Sequence, residues 1–174
     1  ARFKGDDRLI PDSHIVDKVL KQYSTLSAAT KAILNPFLIP PIYKGSWDDA
    51  AATGVSAAAP WAQDTPPACG DANLNEWDSV SAMHSNVRFW WKKSRPQDAA
   101  VANAYMAAMD NDIWPKVTGL MGRTPMSDAG VSCNGGSGAL DIYLDPNEPR
   151  SYQASHSGTG CAAHPTYIVM NPAQ

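Results

Sequence analysis

The stretch Asn86-Val87-Arg88-Phe89-Trp90-Trp91 constrains the fold more than any other part of the sequence. Most of its residues are β-branched or aromatic, which is typical of a β-strand. Because side chains of a strand alternate between two faces, Val87, Phe89 and Trp91 share one face, while Arg88 and Trp90 share the other. The stretch therefore predicts a strand of a β-sheet.

A long helix, Gln97–Leu120, is predicted after this strand. Ser94-Arg95-Pro96-Gln97 has the spacing of a capping box, and its proline lies in the first turn, where a missing N–H is harmless. Apolar residues then recur at helical spacing. Pro115 cannot form the helical backbone hydrogen bond, so we expect a kink there and a last turn that ends at Gly119 or Gly122.

Three further strands are predicted in the C-terminal part. Ala139–Leu144 alternates between apolar and polar residues and ends at the turn Asp145-Pro146-Asn147. Pro165–Met170 is β-branched and apolar, as in a strand buried on both faces. Ser151–Ser155 is expected to form a short edge strand.

The first 85 residues are organised differently. Apolar residues at helical spacing predict a helix that starts at Asp12 or Ser13, and a second helix is predicted over Ser27–Leu34. From residue 37 to about 84, paired prolines and turn residues predict a long irregular segment. Tryptophans spaced through this segment would hold it against the rest of the protein.

These elements predict the fold class α+β, namely a small mixed β-sheet backed by one long helix, preceded by a short helical pair and a long irregular wrapping segment. We divide the chain at residue 85. Residues 1–85 are the helical lead-in and extended wrapping segment, and residues 86–174 are the α/β sheet subdomain, within one compact unit.

Composition limits the possible partners. The chain has 174 residues, of which 44% are hydrophobic and 18% charged, and its net charge is −3. No stripe of basic residues exists, so we expect no nucleic-acid partner. No apolar stretch approaches the roughly 20 residues that a membrane helix needs, so we expect no membrane span.

Three cysteines, Cys69, Cys133 and Cys161, form no C-x-x-C pair. Cys133 and Cys161 lie in glycine-rich loops, which can bring two thiols together with little strain. We expect a Cys133–Cys161 disulfide, with Cys69 either free or taking one of the other two as its partner. The alternative is that all three are reduced and act as small hydrophobic residues.

Motifs for catalysis or metal binding are absent from the sequence. No H-E-x-x-H or G-x-S-x-G occurs. His156, Cys161 and His164 form the tightest group of zinc-ligand types, but their spacing fits no standard zinc signature. Solvated histidines around a disulfide are the favoured interpretation, so no metal site is predicted from this group.

A calcium site is the other metal hypothesis. Asp141, Asp145 and Asn147 offer oxygen ligands around one strand and its turn. Aspartate and asparagine are also ordinary turn residues, and the spacing departs from that of an EF-hand loop. The turn interpretation is favoured.

Six short stretches indicate a family. They are Leu38–Tyr43, Val87–Trp91, Asp112–Lys116, Leu120–Arg123, Leu140–Leu144 and Tyr167–Asn171. Together with the order strand, long helix, strand and strand, they resemble the N-terminal half of zincin metallopeptidases, in particular large exported bacterial ones. In that fold, a strand, a backing helix and further strands precede the helix that carries H-E-x-x-H.

The resemblance implies that this chain is the non-catalytic N-terminal portion of a secreted zinc metallopeptidase. The zinc helix would begin shortly after Asn171, so no catalytic residue is assigned, and zinc is expected only if a downstream H-E-x-x-H segment exists. The expected partner is the missing C-terminal half or another protein chain, which would cover an apolar face of the sheet. The resemblance and the expected disulfide both predict a secreted or extracytoplasmic location.

The resemblance also implies a place for substrate. An extended peptide would add to the sheet by β-augmentation, along the predicted edge strand. The residues of this edge are Ser151, Tyr152, Gln153, Ala154, Ser155 and His156.

Two other functions are considered. The first is a stand-alone extracellular binding or structural module with an aromatic contact surface made of Trp61, Trp77, Trp90 and Trp91. For Trp91, packing in the core is the favoured interpretation. The second is a complete enzyme that uses the group formed by His156, Cys161 and His164.

Overall fold

The computed structural model describes residues 14–49, 69–131, 133–146, 152–155 and 166–173. Helices and strands are numbered separately here in chain order. They are α1 (His14–Gln22), α2 (Ala28–Leu34), β1 (Trp77–Ser81), β2 (Val87–Lys92), α3 (Asp98–Ala108), a π-helical turn (Met109–Ile113), α4 (Trp114–Met121), β3 (Leu140–Leu144), β4 (Tyr152–Ser155) and β5 (Thr166–Met170).

The five strands form one mixed sheet in the order β1-β2-β3-β5-β4. The three inner strands β2, β3 and β5 are parallel, while β1 and β4 are antiparallel strands at the two edges. The helical stretch α3–α4 connects β2 to β3, as neighbouring parallel strands require a crossover. The α+β class with a small mixed sheet is thereby confirmed, and among the described strands β4 lies at the end of the strand order, where the edge strand was predicted.

The strand β1 was not predicted from the sequence. Its residues, Trp-Asp-Ser-Val-Ser, include only two large apolar side chains, and only Trp77 is buried. It nevertheless pairs with β2 over its full length. The proposed division at residue 85 thus falls in the turn between two strands of one sheet.

One face of the sheet, the helix-side face, packs against α3. The alternate β2 residues Val87, Phe89 and Trp91 lie on it, as the sequence pattern predicted. Ala102, which is fully buried, and Met106 contribute the helix surface. The small alanine allows close approach of the helix to the strands.

The helix-side face is less completely covered toward β5. The helix α3 contacts β2 and β1. Ile142 and Leu144 of β3 are fully buried, whereas Ile168 and Met170 of β5 are half-buried. The expectation that β5 is buried on both faces is therefore met on the opposite face only, within the part of the chain that the structure describes.

The opposite face, which we call the aromatic face, is covered by irregular chain. Its buried strand residues are Trp77, Trp90, Tyr143, Tyr167 and Val169. Ile39, Ile42 and Tyr43 of the irregular segment pack on them and are themselves buried. Burial of these apolar side chains explains how residues 39–43 are held against the sheet although they form no helix or strand.

The predicted capping box at Ser94 does not form. Gln97 precedes α3 and makes no capping side-chain hydrogen bond, and Asp98 in the first turn pairs instead with Arg95. At the other end, Gly122 terminates α4 with φ of 64°, a left-handed conformation that glycine adopts easily. The predicted end at Gly122 is confirmed.

A π-helical turn replaces the predicted kink. It spans Met109–Ile113 and immediately precedes the Trp114-Pro115 pair that starts α4. Proline lacks a donor and clashes with the preceding turn, so a local widening of the helix accommodates it.

Asp110 in this π-helical turn ties the helix to the β1–β2 turn. Its carboxylate accepts hydrogen bonds from the backbone N–H groups of Met83, His84 and Ser85, and from the Ser85 hydroxyl at 2.6 Å. These hydrogen bonds, led by that of the Ser85 hydroxyl, lower the pKa of Asp110 to about 2.

We expect Asp110→Asn to lower the melting temperature at pH 7 by a few degrees, because an amide nitrogen cannot accept these hydrogen bonds. A lowered pKa stabilises the fold above the ordinary pKa of aspartate, and that contribution is lost as the pH falls through about 2. The difference between wild type and variant, measured by thermal unfolding, should therefore shrink between about pH 4 and pH 2. Asp112→Asn is the control, since Asp112 is exposed and pairs only with Lys116 among the described residues; a change above about 0.5 kcal/mol there would contradict this account.

Candidate functional site

The most unusual group on the aromatic face is the carboxyl of Asp141. It lies on β3, directly opposite Arg88 of β2, and has no solvent exposure. The indole Nε1 of Trp90 donates a hydrogen bond to Oδ1 at 2.7 Å. The other oxygen, Oδ2, has no hydrogen-bond partner among the described residues. A buried carboxyl oxygen without a donor strongly disfavours the ionised form.

Gly135 packs directly against this oxygen. Its φ is 61°, and a Cβ at this position would overlap Asp141 Oδ2. The Gly135 N–H donates to the Tyr43 hydroxyl at 2.8 Å, and its carbonyl accepts from Arg88 Nη1 at 3.0 Å. Glycine is required here both for the left-handed backbone and for the close approach.

A second buried carboxyl, Asp128, belongs to the same loop before β3. It is 2% exposed. Burial raises the pKa of Asp128 to about 6, while the Arg88 charge opposes the shift. Burial also raises the pKa of Asp141 to about 7, and the negative charge of Asp128 adds to that shift, against the Trp90 hydrogen bond and Arg88.

Tyrosine hydroxyls complete this polar cluster. Burial raises the pKa of Tyr143 well above its ordinary value, and the charges of Asp141 and Asp128 act in the same direction. The same three causes raise the pKa of Tyr43, although its hydrogen bond from Gly135 opposes them. Both phenols therefore remain neutral over the physiological pH range.

The rings around Tyr143 close the site against solvent. Trp90 stacks on Tyr143 with ring centroids 6.3 Å apart, and Trp77 and Tyr167 meet it edge-on at 5.8 and 5.9 Å. The Arg88 guanidinium lies 5.3 Å from the Trp90 ring centroid. Edge-on and stacked pairs of this kind stabilise the packing beyond their buried area.

A disulfide fastens the loop that carries Gly135. It joins Cys69 to Cys133, with Cα atoms 5.4 Å apart. The expected Cys133–Cys161 pairing is therefore wrong, because one thiol forms one disulfide. The glycine-rich surroundings indicated adaptable loops but not which loops are neighbours. Both Cys69 and Cys133 pack against the aromatic core cluster, and this shared contact brings them together.

The calcium hypothesis is not supported where it can be examined. Asp141 contacts Trp90 and Gly135, whereas the charge of Asp145 acts on Arg95 near the start of α3. Four residues of extended strand, about 13 Å, separate the two positions. The described residues contain no group of three or more His, Cys, Asp or Glu side chains placed to hold a metal.

Several predicted site residues lie outside the described residues. They are Asn147, Ser151, His156, Cys161, His164 and Trp61. The edge strand is described over Tyr152–Ser155, where it pairs with β5.

The tryptophans of the predicted contact surface are buried. Trp77, Trp90 and Trp91 are between 3% and 8% exposed. They lie in core clusters on the two faces of the sheet, and the interpretation of Trp91 as a core residue is confirmed. An aromatic contact surface therefore cannot be built from these three residues.

Sequence reasoning identified Asp141 but gave it the wrong neighbours. Asp128, Tyr43 and Tyr143 were not singled out. The sequence did contain one indication of this site, namely an aspartate in the middle of the apolar strand Ala139–Leu144. A carboxylate that is buried in such a strand must be neutralised or hydrogen-bonded. Asp128, the other buried carboxyl, lies in an irregular loop, where the sequence has no periodic pattern that would indicate burial.

No protein-family model, curated protein or solved structure matches this chain. None of the helices in the described ranges is long and apolar enough to cross a bilayer.

We expect Cys69→Ser to lower the free energy of unfolding by roughly 2–5 kcal/mol, because it removes a covalent link across a sequence separation of 64 residues. Peptide mapping without reduction checks the pairing itself. It should yield a linked peptide pair that contains Cys69 and Cys133, and Cys161→Ser should leave this pair intact. A linked Cys133–Cys161 pair would contradict the structure.

We expect Trp90→Phe to lower the free energy of unfolding by roughly 2–4 kcal/mol, because it removes the donor to Asp141 as well as part of a buried ring. Urea denaturation measures the change. Trp91→Phe is the matched control, since it makes the same truncation on the helix-side face. Equal losses in the two variants would mean that the Trp90–Asp141 hydrogen bond adds nothing to ring burial.

Proposed function

We propose that this chain forms the substrate-facing sheet portion of a secreted zincin-type zinc metallopeptidase. The observation that supports this most directly is the arrangement of β2, the α3–α4 crossover, β3 and β5, with the antiparallel strand β4 at the edge. It agrees with the order of strand, backing helix and further strands that the sequence resemblance implies.

In this proposal, the segment that carries the zinc motif packs on the helix-side face beside α3. Over β2 and β1 this face is covered by α3, while Ile168 and Met170 of β5 are half-buried. A further helix that packed beside α3 would bury these two side chains. The partner in this proposal is the segment that carries the zinc motif.

The edge strand β4 would receive the peptide. Among the described strands it pairs with β5 alone. The outer N–H and C=O groups of an edge strand can pair with an extended chain, which is the basis of β-augmentation. In this proposal the peptide backbone is recognised along Tyr152–Ser155 and extends the sheet by one strand.

Zinc itself would be held by residues outside this chain. The described residues provide no group of ligands for it, and the sequence has no H-E-x-x-H. The role of this chain is then to bind and orient the peptide, and no chemical step is assigned to its residues.

The proposal is tested on the protein isolated from its native source. Its intact mass without reduction should exceed the 18.6 kDa of this chain, and the additional sequence should contain H-E-x-x-H. The protein should hydrolyse peptides and lose this activity when zinc is chelated. A native product of 18.6 kDa without peptidase activity would overturn the proposal.

A proline pair tests the role of β4 in that native protein. Adjacent residues of a strand direct their N–H groups to opposite sides, so proline at Gln153 and at Ala154 removes an outer donor in one variant and an inner donor in the other. The variant that loses the outer donor should bind peptide substrate at least about tenfold more weakly at unchanged melting temperature, an effect of about 1.4 kcal/mol. Unchanged peptide affinity in that variant would exclude β4 as the substrate edge.

A further inference from the structure

The contact between Gly135 and Asp141 Oδ2 has a chemical consequence. Oδ2 is fully buried, has no donor among the described residues, and lies against the backbone of the loop that also holds Asp128 and Cys133. An ionised oxygen in this position needs hydration. Gly135 occupies the space beside Oδ2, so water that hydrated an ionised Oδ2 on this side would have to displace Gly135.

We propose that Asp141 keeps a proton on Oδ2 in the folded protein and that the neutral carboxyl allows the loop of residues 133–138 to stay packed against the sheet. When the proton is lost to solvent, the new carboxylate draws in water and displaces Gly135. The loop then opens while the strands remain paired. The packing of this loop on the aromatic face therefore depends on pH.

Some of the groups around Asp141 lower the pKa of its carboxyl, and others raise it. Arg88 from β2 favours the ionised form, and so does the indole hydrogen bond of Trp90. Burial favours the protonated form, and so does the charge of Asp128, which precedes the loop of residues 133–138 in the chain. Three tyrosine phenols also face this cluster. They belong to Tyr43 of the irregular segment, Tyr143 of β3 and Tyr167 of β5. The phenols of Tyr43 and Tyr143 are neutral and supply no counter-charge.

The loop is the element that can yield. Among the described residues, its attachments include the disulfide at Cys133 and the two hydrogen bonds of Gly135. The Asn86 side chain and the Ser127 hydroxyl also donate hydrogen bonds to the Gly138 carbonyl. The disulfide limits how far the loop can move and allows it to close again. The strand β3, which carries Asp141, is held on both sides by parallel partners.

The sign of the pH dependence follows from linkage. The pKa of Asp141 is raised to about 7, so between the ordinary pKa of aspartate and about 7 the folded protein binds more protons than the unfolded one. Stability therefore falls as the pH rises through this window and levels off above it. Asp128, with a pKa of about 6, contributes in the same direction at the lower end.

Asp141→Asn tests whether the protonated Asp141 carboxyl keeps the loop packed. The amide oxygen still accepts from Trp90, and the neutral NH₂ group occupies the place of the protonated oxygen. We expect the variant to be at least as stable as wild type at pH 8 and to lose at least half of the fall in melting temperature between pH 5 and pH 8. A variant that is less stable at pH 8, or that keeps the full slope, overturns the proposal.

Hydrogen exchange locates the motion. Amides of residues 133–138, corrected for the intrinsic effect of pH, should exchange about tenfold faster at pH 8 than at pH 6 in wild type, since each pH unit below the pKa changes the ionised fraction tenfold. Amides of β2 should not change. The difference should vanish in Asp141→Asn and persist in Asp112→Asn, which alters an exposed carboxylate. Equal opening in all three proteins overturns the proposal.

A further measurement on wild type does not depend on folding of a variant. At pH 6 the infrared spectrum should contain a protonated carboxyl band that disappears as the pH is raised to 9. Its absence at pH 6 overturns the proposal. So does a rise in melting temperature on addition of calcium chloride at pH 6, because a cation would then occupy the place assigned to the proton.

Discussion

The register of β2 against β3 is the constraint on which the aromatic face depends. It sets Arg88 opposite Asp141 and Trp90 opposite Tyr143, so that an indole N–H meets a carboxyl that has no access to water. A slip of β3 by one residue would turn Asp141 into the helix-side face, among Val87, Phe89 and other apolar side chains of β2 and α3. The buried carboxyl therefore favours the observed register, because a one-residue slip would take it away from the Trp90 donor.

The regular elements were predictable to the extent that one face of each is apolar. Alternation in β2 and helical spacing in α3 reported burial directly, since each contacts a single core on a defined side. The edge strand β1 was not predicted, because a strand with one buried side chain shows almost no alternation of apolar and polar residues. The π-helical turn was foreseen only as a kink, since Pro115 shows where a helix is disturbed but not how it adapts.

The candidate site was less predictable because its parts come from irregular chain. Tyr43, Asp128 and Gly135 are placed by long-range packing, and local sequence does not record which loops meet. The cysteine pairing failed for the same reason. A carboxyl in an apolar strand is informative in sequence, but the identity of its neighbours is a property of the folded sheet.

The Cys69–Cys133 bond also divides the chain topologically. It closes a covalent ring that contains β1, β2, α3 and α4, while β3, β4 and β5 follow outside it. A single proteolytic cut within the ring opens a circle but releases no fragment, so the crossover between β2 and β3 stays joined to the remainder of the sheet. Cleavage of one peptide bond in this half of the molecule therefore removes no fragment from it. Under oxidising conditions, a protein that has been cut once in this way can keep its strands together.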